Sequence, residues 1–358
     1  MALYSRNELA LFMDFKYGLK DGHNITDFDS FFKQTGLDDK LLSTDALVAN
    51  KGIQELIAKY LGDFHSSLLH SSAYAGKEAL DTIKSDATLK SPSYQEYQMI
   101  RYAYSTARAN YFKALYSEEA PACYETYGKD TDSTTVKDTA YITFDHFSIP
   151  SSGTDYYKTA PTAAATDTFG ILAYAYSQIA ADTNIKNIVL DLSCNGGGSL
   201  NAGIYTAGAF LPYGILHAED TTSGAMGEFT YHSDLNLDGK YDASDYFFGL
   251  AQKRSRSFKL YCLTSPASLS CSNFVASAFK ESNQIRLIGG NTSGGACIVE
   301  NGTTADGTYF RTSGNSRLCT MRNGAYQPIE DGIKVDYSLD GYDDYFNRTK
   351  LTNFIENL

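Results

Sequence analysis

The chain has 358 residues and a net charge of −12, with an isoelectric point near 4.9. That length can bury a large core and hold more than one domain. The acidic balance argues against a nucleic-acid or anionic-membrane surface, and no apolar run is long enough to span a membrane.

Residues 1–70 read as helical. Ser5 with Glu8 looks like a capping box ahead of Leu9, Leu11, Phe12 and Phe15. Phe28, Phe31, Phe32 and Leu37 suggest a second short helix. Ile53, Leu56, Ile57, Tyr60, Leu61 and Phe64 follow helical spacing, and the run breaks at Gly62-Asp63-Phe64-His65. On these residues alone His65 reads as a helix C-terminal cap. Residues 71–137 read as polar and helical, with a capping box at Ser93/Glu96 and a tyrosine-rich stripe. The pattern turns to strand at Thr139–Phe147. Helix Thr168–Ala181, strand Ile188–Leu192, helix Leu200–Phe210, strand Phe258–Thr264, helix Asn273–Glu281, strand Ile285–Gly289 and a late strand near Ile333–Leu339 follow. This alternation predicts an α/β domain with a largely parallel sheet. The 28 Tyr fit a polar-tolerant groove or half-buried packing equally well.

Three stretches carry chemistry. In SLSCSNFVASAFKES, residues 268–282, a serine sits where a strand hands over to a helix. There a hydroxyl is presented beside the free N–H groups of a helix start. Ser270 is the candidate nucleophile, although Ser270 and Ser272 also read as simple N-caps. The turn Cys194-Asn195-Gly196-Gly197-Gly198-Ser199 follows IVLDL and can aim N–H groups at an anion. With neither GK[ST] nor GxGxxG, it suits an oxyanion hole or tight packing better than a nucleotide.

The third stretch is DLNLDGKYDASD. Asp234, Asn236, Asp238, Gly239, Lys240, Asp242 and Asp245 occupy positions 1, 3, 5, 6, 7, 9 and 12 of an EF-hand-type loop. Alternating oxygen ligands would wrap one structural Ca²⁺, with Lys240 giving only its carbonyl and Gly239 the sharp turn. Asp245 replaces the usual Glu, as in dockerin-type loops. The seven matched positions favour calcium over a merely solvated acidic turn. The six cysteines show no CxxC or zinc spacing, and their pairing is not assigned.

Five blocks together resemble the C-terminal processing (tail-specific) serine protease family and its relative tricorn protease. They are LGDFHSSL at 61–68, TAYITFDHF at 139–147, IVLDLSCNGGGSL at 188–200, Ser270–Gly295, and IEDGIKVDYSL at 329–339. The resemblance implies a ClpP/crotonase-type fold of repeated ββα units with an N-terminal helical bundle. It divides the chain into a helical domain, 1–137, and a catalytic domain, 138–358, with the calcium-loop insertion at about 218–256. It places the nucleophile at Ser270 and the oxyanion hole at the Gly197 and Cys271 amides, with Gly196 beside it.

Two departures follow. The family's dyad lysine position is held by Gly295, which points to the tricorn-like branch with Ser, His and Glu. The base is then His65 and the orienting acid Glu330, acting through an acyl-enzyme on a polypeptide substrate with no catalytic cofactor. One imidazole nitrogen should then approach Ser270 and the other Glu330. His146 is the alternative base. Asn273 and Glu281 fall on positions that tune activity, or serve as support. The place of the family's PDZ domain is taken by the short helical segment 71–137, so selection of C-terminal tails by a PDZ groove is not expected. A non-catalytic peptide-binding relative is the competing reading, and a nucleotide-binding α/β protein a third. The calcium class and the resemblance suggest a secreted or surface-anchored protein whose leader is removed.

Overall fold

A computed structural model describes every residue except 131, 133, 213, 254 and 323, and the side chain of 322. In chain order the elements begin with α1 (Ala2–Lys16), α2 (Phe28–Thr35), α3 (Leu37–Leu41) and α4 (Ala46–Glu55), which runs into a π-helical turn, Leu56–Leu61. β1 (Ser67–His70), α5 (Ala79–Ser85), α6 (Pro92–Tyr116), β2 (Tyr124–Tyr127), β3 (Thr139–Thr143), α7 (Thr168–Ala181), β4 (Asn187–Asp191) and α8 (Leu200–Phe210) follow. Then come β5 (Gly214–Asp220), β6 (Ala225–Tyr231), α9 (Phe247–Lys253), β7 (Lys259–Thr264), α10 (Cys271–Ser282) and β8 (Arg286–Gly289). The chain closes with β9 (Cys297–Thr303), β10 (Tyr309–Arg322), β11 (Ala325–Pro328), β12 (Tyr337–Ser338), α11 (Tyr342–Phe346) and α12 (Arg348–Glu356). Among the described residues no helix is long and apolar enough to cross a membrane.

The chain forms two compact units. The first comprises Met1–Met99, Ala218–Gly227 and Gly295–Cys319. Its helices and β1 bury Leu9, Met13, Phe28, Phe32, Leu56, Ile57 and Leu68 with Phe310 of β10. β10 pairs antiparallel with β1, Ser67 opposite Arg311, and with β9, Tyr309 opposite Thr303. Asp27 and Asp45 cap α2 and α4 by accepting the Ser30 and Leu47 amides, which satisfies donors a helix start leaves open.

The second unit comprises Ile100–His217, Glu228–Gly294 and Thr320–Leu358. It is built on a sheet of order β12-β8-β7-β4-β3-β2, parallel throughout except for the antiparallel edge pair β2–β3. Every residue of β3 and β4 is buried, as parallel strands covered on both faces require. Val189, Tyr261 and Ile288 on one face pack with Phe112, Phe346, Leu351 and Ile355. The mixed α/β class read from the sequence holds, as do the bounds of α7 and α8.

Several local readings change. α1 starts at Ala2, so Ser5 is not its cap. The Ser5 hydroxyl instead accepts the Asp306 amide at 3.1 Å. α6 opens at Pro92, and Ser91 rather than Ser93 accepts the Tyr94 amide. The helix before His65 widens to a π-turn closed by Gly62 N–H on the Ile57 carbonyl, leaving Phe64 outside it. β3 stops at Thr143. β1 and β2 interrupt stretches that read as helical, and β5, β6 and β9–β11 fall where the sequence shows no strand pattern.

Candidate active site

Two parallel central strands, β4 and β7, end side by side and deliver two turns to the same end of the sheet. The turn after β4 starts from Asp191, fully buried and paired with fully buried Arg348 at 2.8 Å. Burial would raise this carboxyl, but Arg348, Ser193 and Arg108 outweigh it and hold it below the usual range. Asp191 Oδ1 accepts both the amide and the hydroxyl of Ser193, which fixes the entry to the glycines.

The turn after β7 is locked onto the first by serine hydroxyls. Ser265 donates to the Ser193 carbonyl, Ser268 to the Leu192 carbonyl at 2.7 Å and Ser272 to the Asn195 carbonyl at 2.8 Å. All three are buried. Ser270 is different. It is half-buried and its side chain makes no capping hydrogen bond to α10, which removes the N-cap reading for this residue. Its backbone sits at φ 62°, ψ −118°, a conformation that costs a non-glycine residue about 1–3 kcal/mol. A strained serine between strand and helix is how a nucleophile elbow exposes its hydroxyl. The Ser270 amide donates to the Gly294 carbonyl at 2.9 Å.

Each of the three glycines faces a different side chain. A Cβ on Gly197, at φ 99°, would lie 2.5 Å from Ser270 Cβ and 3.0 Å from its Oγ. A Cβ on Gly196 would lie 2.7 Å from Arg101 Cζ, and one on Gly198 2.8 Å from His146 Cε1. His146 therefore lies at this turn. It is exposed, beyond the end of β3, on a loop where Asp145 takes both guanidinium nitrogens of Arg108.

The amides differ from expectation at one position. The Gly197 N–H donates to Asn195 Oδ1 at 2.8 Å, and Asn195 is itself held by Phe144 and Ser272. The Cys271 N–H opens α10 and donates to nothing among the described residues. Burial pushes the Cys271 thiol up to about 12, and it donates to the Gly198 carbonyl at 3.1 Å. It stays a protonated thiol beside the serine, which argues against a cysteine nucleophile.

Glu330 is placed by a network from α10. Asn273 Nδ2 donates to the Ile329 carbonyl at 2.8 Å, and Asn273 Oδ1 accepts the Thr292 hydroxyl at 2.7 Å. That hydroxyl accepts the Ile333 amide. Gly294 presses against the Glu330 backbone carbonyl, so the loop that binds the Ser270 amide also touches the loop carrying the acid. Glu281 accepts from the Thr320 hydroxyl and the Met321 amide, tying α10 to β10.

His65 lies in the other unit. Asp63 organises its loop: Oδ1 accepts the His65 and Ser66 amides and the Ser313 hydroxyl, while Oδ2 accepts the Ser66 and Tyr17 hydroxyls. His65 is 7% exposed, and neither ring nitrogen makes a hydrogen bond. It is not a helix cap. Burial, reinforced by Arg311 and opposed by Asp63 and the Cys297 backbone, holds the imidazole below the usual histidine range. It is therefore neutral at pH 7.

The profile of Peptidase family S41 matches residues 138–339, more than half of the chain. The chain belongs to that family. It is thus a member of a serine peptidase family with a polypeptide substrate, and the Ser270 elbow lies inside the matched segment. No curated protein matches the chain. Among solved structures it is similar to a candidate peptidase from Parabacteroides merdae ATCC 43184 (TM-score 0.57, 15% identity, 99% of this chain and 95% of that one). Mature CPAF in complex with lactacystin is also similar (0.55, 11%, 100% and 99%). So is a lipoprotein from Streptococcus agalactiae (0.50, 15%, 98% and 96%). At these identities the likeness is one of fold.

The acidic loop lies in the second unit. Asp234 accepts the Asp238 and Gly239 amides and the Tyr157 hydroxyl, and Asn236 Oδ1 accepts the Asp238 amide. Asp238 takes the Lys240 amide, Asp242 takes Ser244, and Asp245 Oδ2 takes the Asp242 amide. Asp245 is 5% exposed and its Oδ1 has no partner. Among the described residues no three acidic, His or Cys side chains converge as they stand to hold an ion.

Proposed function

We propose that this S41 peptidase cleaves peptide bonds through an acyl-enzyme, with Ser270 as nucleophile, His65 as general base and Glu330 as the acid that orients and stabilises the imidazolium. The observation that carries it is the strained backbone of Ser270 pressed against Gly197. The neutral imidazole of His65 supports its role, since a base must be unprotonated to accept the serine proton. The developing oxyanion is taken by the Cys271 amide, joined by Gly197 when its N–H leaves Asn195. Labelling with a fluorophosphonate tests this: wild type reacts and Ser270→Ala, His65→Ala and Glu330→Gln do not. Equal labelling of wild type and Ser270→Ala would refute it.

Two observations favour alternatives. The Gly197 amide held by Asn195 favours a peptide-binding relative without catalysis, which the same labelling separates. The His146 ring beside Gly198 favours it as the base in place of His65. Helices α5 and α6 fill the segment between β1 and β2, and we read the protein as lacking a PDZ groove. Cleavage that ignores whether a C-terminus remote from the cleaved bond is free supports that.

The acidic loop would hold Ca²⁺ as a structural ion. The residues fit in one respect: Asp245 Oδ1 is a buried carboxylate oxygen without a partner, and such an atom is costly unless something neutralises it. Asp234, Asn236, Asp238, Asp242, Asp245 and the Lys240 carbonyl would supply the oxygens. The weak affinity class of extracellular calcium modules suits an exported protein, which detection of the mature chain outside the producing cell would support.

A further inference from the structure

Arg101 is the observation that the reaction does not use. It lies one residue along the glycine turn from the Ser270 contact, with Cζ 2.7 Å from the Cβ position of Gly196. Its side chain is exposed and, among the described residues, makes no ion pair or hydrogen bond. Arg108, seven residues on and so on the same helix face, has a different fate: it is buried and spent on Asp145. The turn therefore has one guanidinium built into the scaffold and one presented bare at its mouth, in a protein whose net charge is −12.

We infer that Arg101 binds a carboxylate of the polypeptide substrate close to the scissile bond. The inference rests on the reading of Ser270 as the nucleophile. Consecutive Cα atoms are 3.8 Å apart, so the guanidinium carbon lies no more than about 13 Å from Ser270 Oγ, a span of at most about four extended residues. Gly196, lacking a side chain, lets the planar guanidinium lie on the turn, where its edge stays open. A flat fork of donors is matched by a carboxylate, which accepts two parallel bonds. The overall negative field repels acidic peptides, so a local cation decides which carboxylates are admitted. The carboxylate is an Asp or Glu side chain flanking the cleaved bond or the substrate's own C-terminus.

Matched fluorogenic peptides test this on the whole chain. One pair differs by Glu against Gln within three residues of the cleaved bond, the other by a free against an amidated C-terminus. Wild type should prefer the carboxylate member of one pair by about tenfold in kcat/KM, mostly through KM. The pair that shows the preference names the source. Arg101→Gln should bring the ratio close to one, Arg101→Lys should keep part of it, and Arg101→Glu should invert it. An unchanged ratio in Arg101→Gln, or no preference in wild type for either pair, overturns the inference while cleavage itself leaves the peptidase reading standing. If nothing is cleaved and Ser270 does not label, the peptidase reading fails. Anisotropy of the same peptides on Ser270→Ala, with and without Arg101→Gln, then judges Arg101 alone: tighter binding of the carboxylate member that is lost with Arg101 supports it, and equal binding overturns it.

Discussion

Gly197 and Ser270 approach so closely that no side chain fits between them: a Cβ on Gly197 would lie 2.5 Å from Ser270 Cβ. Alanine there meets both the clash and a backbone at φ 99°, so either the elbow or the glycine turn must shift. Gly197→Ala should lower fluorophosphonate labelling by about 100-fold, the scale of losing one oxyanion donor, and cost about 1–3 kcal/mol of stability from the positive φ. A folded Gly197→Ala that labels at the wild-type rate would show that the contact has no bearing on the nucleophile.

The two histidines make opposite predictions. If His65 is the base, its depressed pKa keeps it unprotonated below the ordinary histidine value of about 6.5. Labelling should then persist as pH falls through 6.5 and decline only below it, and His65→Ala should remove it while His146→Ala slows it at most a few-fold. The same depression acts on stability. Between the lowered folded pKa and about 6.5 the unfolded chain holds more protons, so stability falls as pH drops through that window. His65→Gln should flatten that slope in thermal melts at pH 5 and 7. Loss of labelling in His146→Ala alone would transfer the role to His146.

The sequence spoke clearly where one local rule dominates. α7 and α8 emerged with their bounds because an apolar segment begins at a capping residue or after a glycine turn. β9 and β10 carry no clear signal because Cys297–Thr303 mixes half-buried Glu300 and exposed Asn301 with a glycine, and no local apolar alternation marks it. Ser5 misled as a cap because its hydroxyl serves Asp306, about 300 residues away. In the site, the residue types of Ser270 and the three glycines were legible. That Asn195 takes the Gly197 amide, and that Arg101 covers Gly196, depends on approaches between segments far apart in sequence, which no periodicity encodes.

Asn273 acts on Glu330 through the Ile329 carbonyl and Thr292. Asn273→Ala removes the donor to that carbonyl and loosens the acid's loop without touching Ser270. Turnover should fall about 10- to 100-fold, the scale of a lost partner that only orients, with KM little changed. Asn273→Asp should not rescue, because a carboxylate cannot donate to Ile329. Rescue by Asp would mean that Thr292, not Ile329, is the contact that matters.

Arg348 and Asp191 form a pair with no exposure on either side, and Arg348 also lies 4.5 Å from the centre of the Tyr141 ring. Arg348→Met leaves a buried carboxylate without its cation, at a cost of about 3–5 kcal/mol near neutrality. Asp191 has its pKa depressed in the folded protein. Its contribution is therefore present above the unfolded carboxyl value of about 3.9 and is lost as pH falls through the depressed one. In the variant the carboxyl is instead raised, so denaturant melts should show a larger deficit at pH 7 than at pH 4. A deficit independent of pH would assign the loss to packing.

Asp245 reverses that sign. Burial, with Asp234, Asp242 and Asp238 nearby and only the Asp242 amide opposing, holds its carboxyl above the usual range. Between about 3.9 and the raised value the folded protein binds more protons than the unfolded chain, so in EDTA stability falls as pH rises through that window. Calcium in the loop would neutralise the same charges. Millimolar Ca²⁺ should therefore raise the melting temperature at pH 7 and do so less at pH 4, where protons compete. Asp245→Asn separates the two effects: it should be more stable than wild type in EDTA at pH 7, because the unpaired buried charge is gone, and should respond little to Ca²⁺. Calorimetry gives an independent reading. If wild type shows neither heat nor a shift in melting temperature at millimolar Ca²⁺, the loop is a solvated acidic turn, and the strain at Asp245 is simply tolerated.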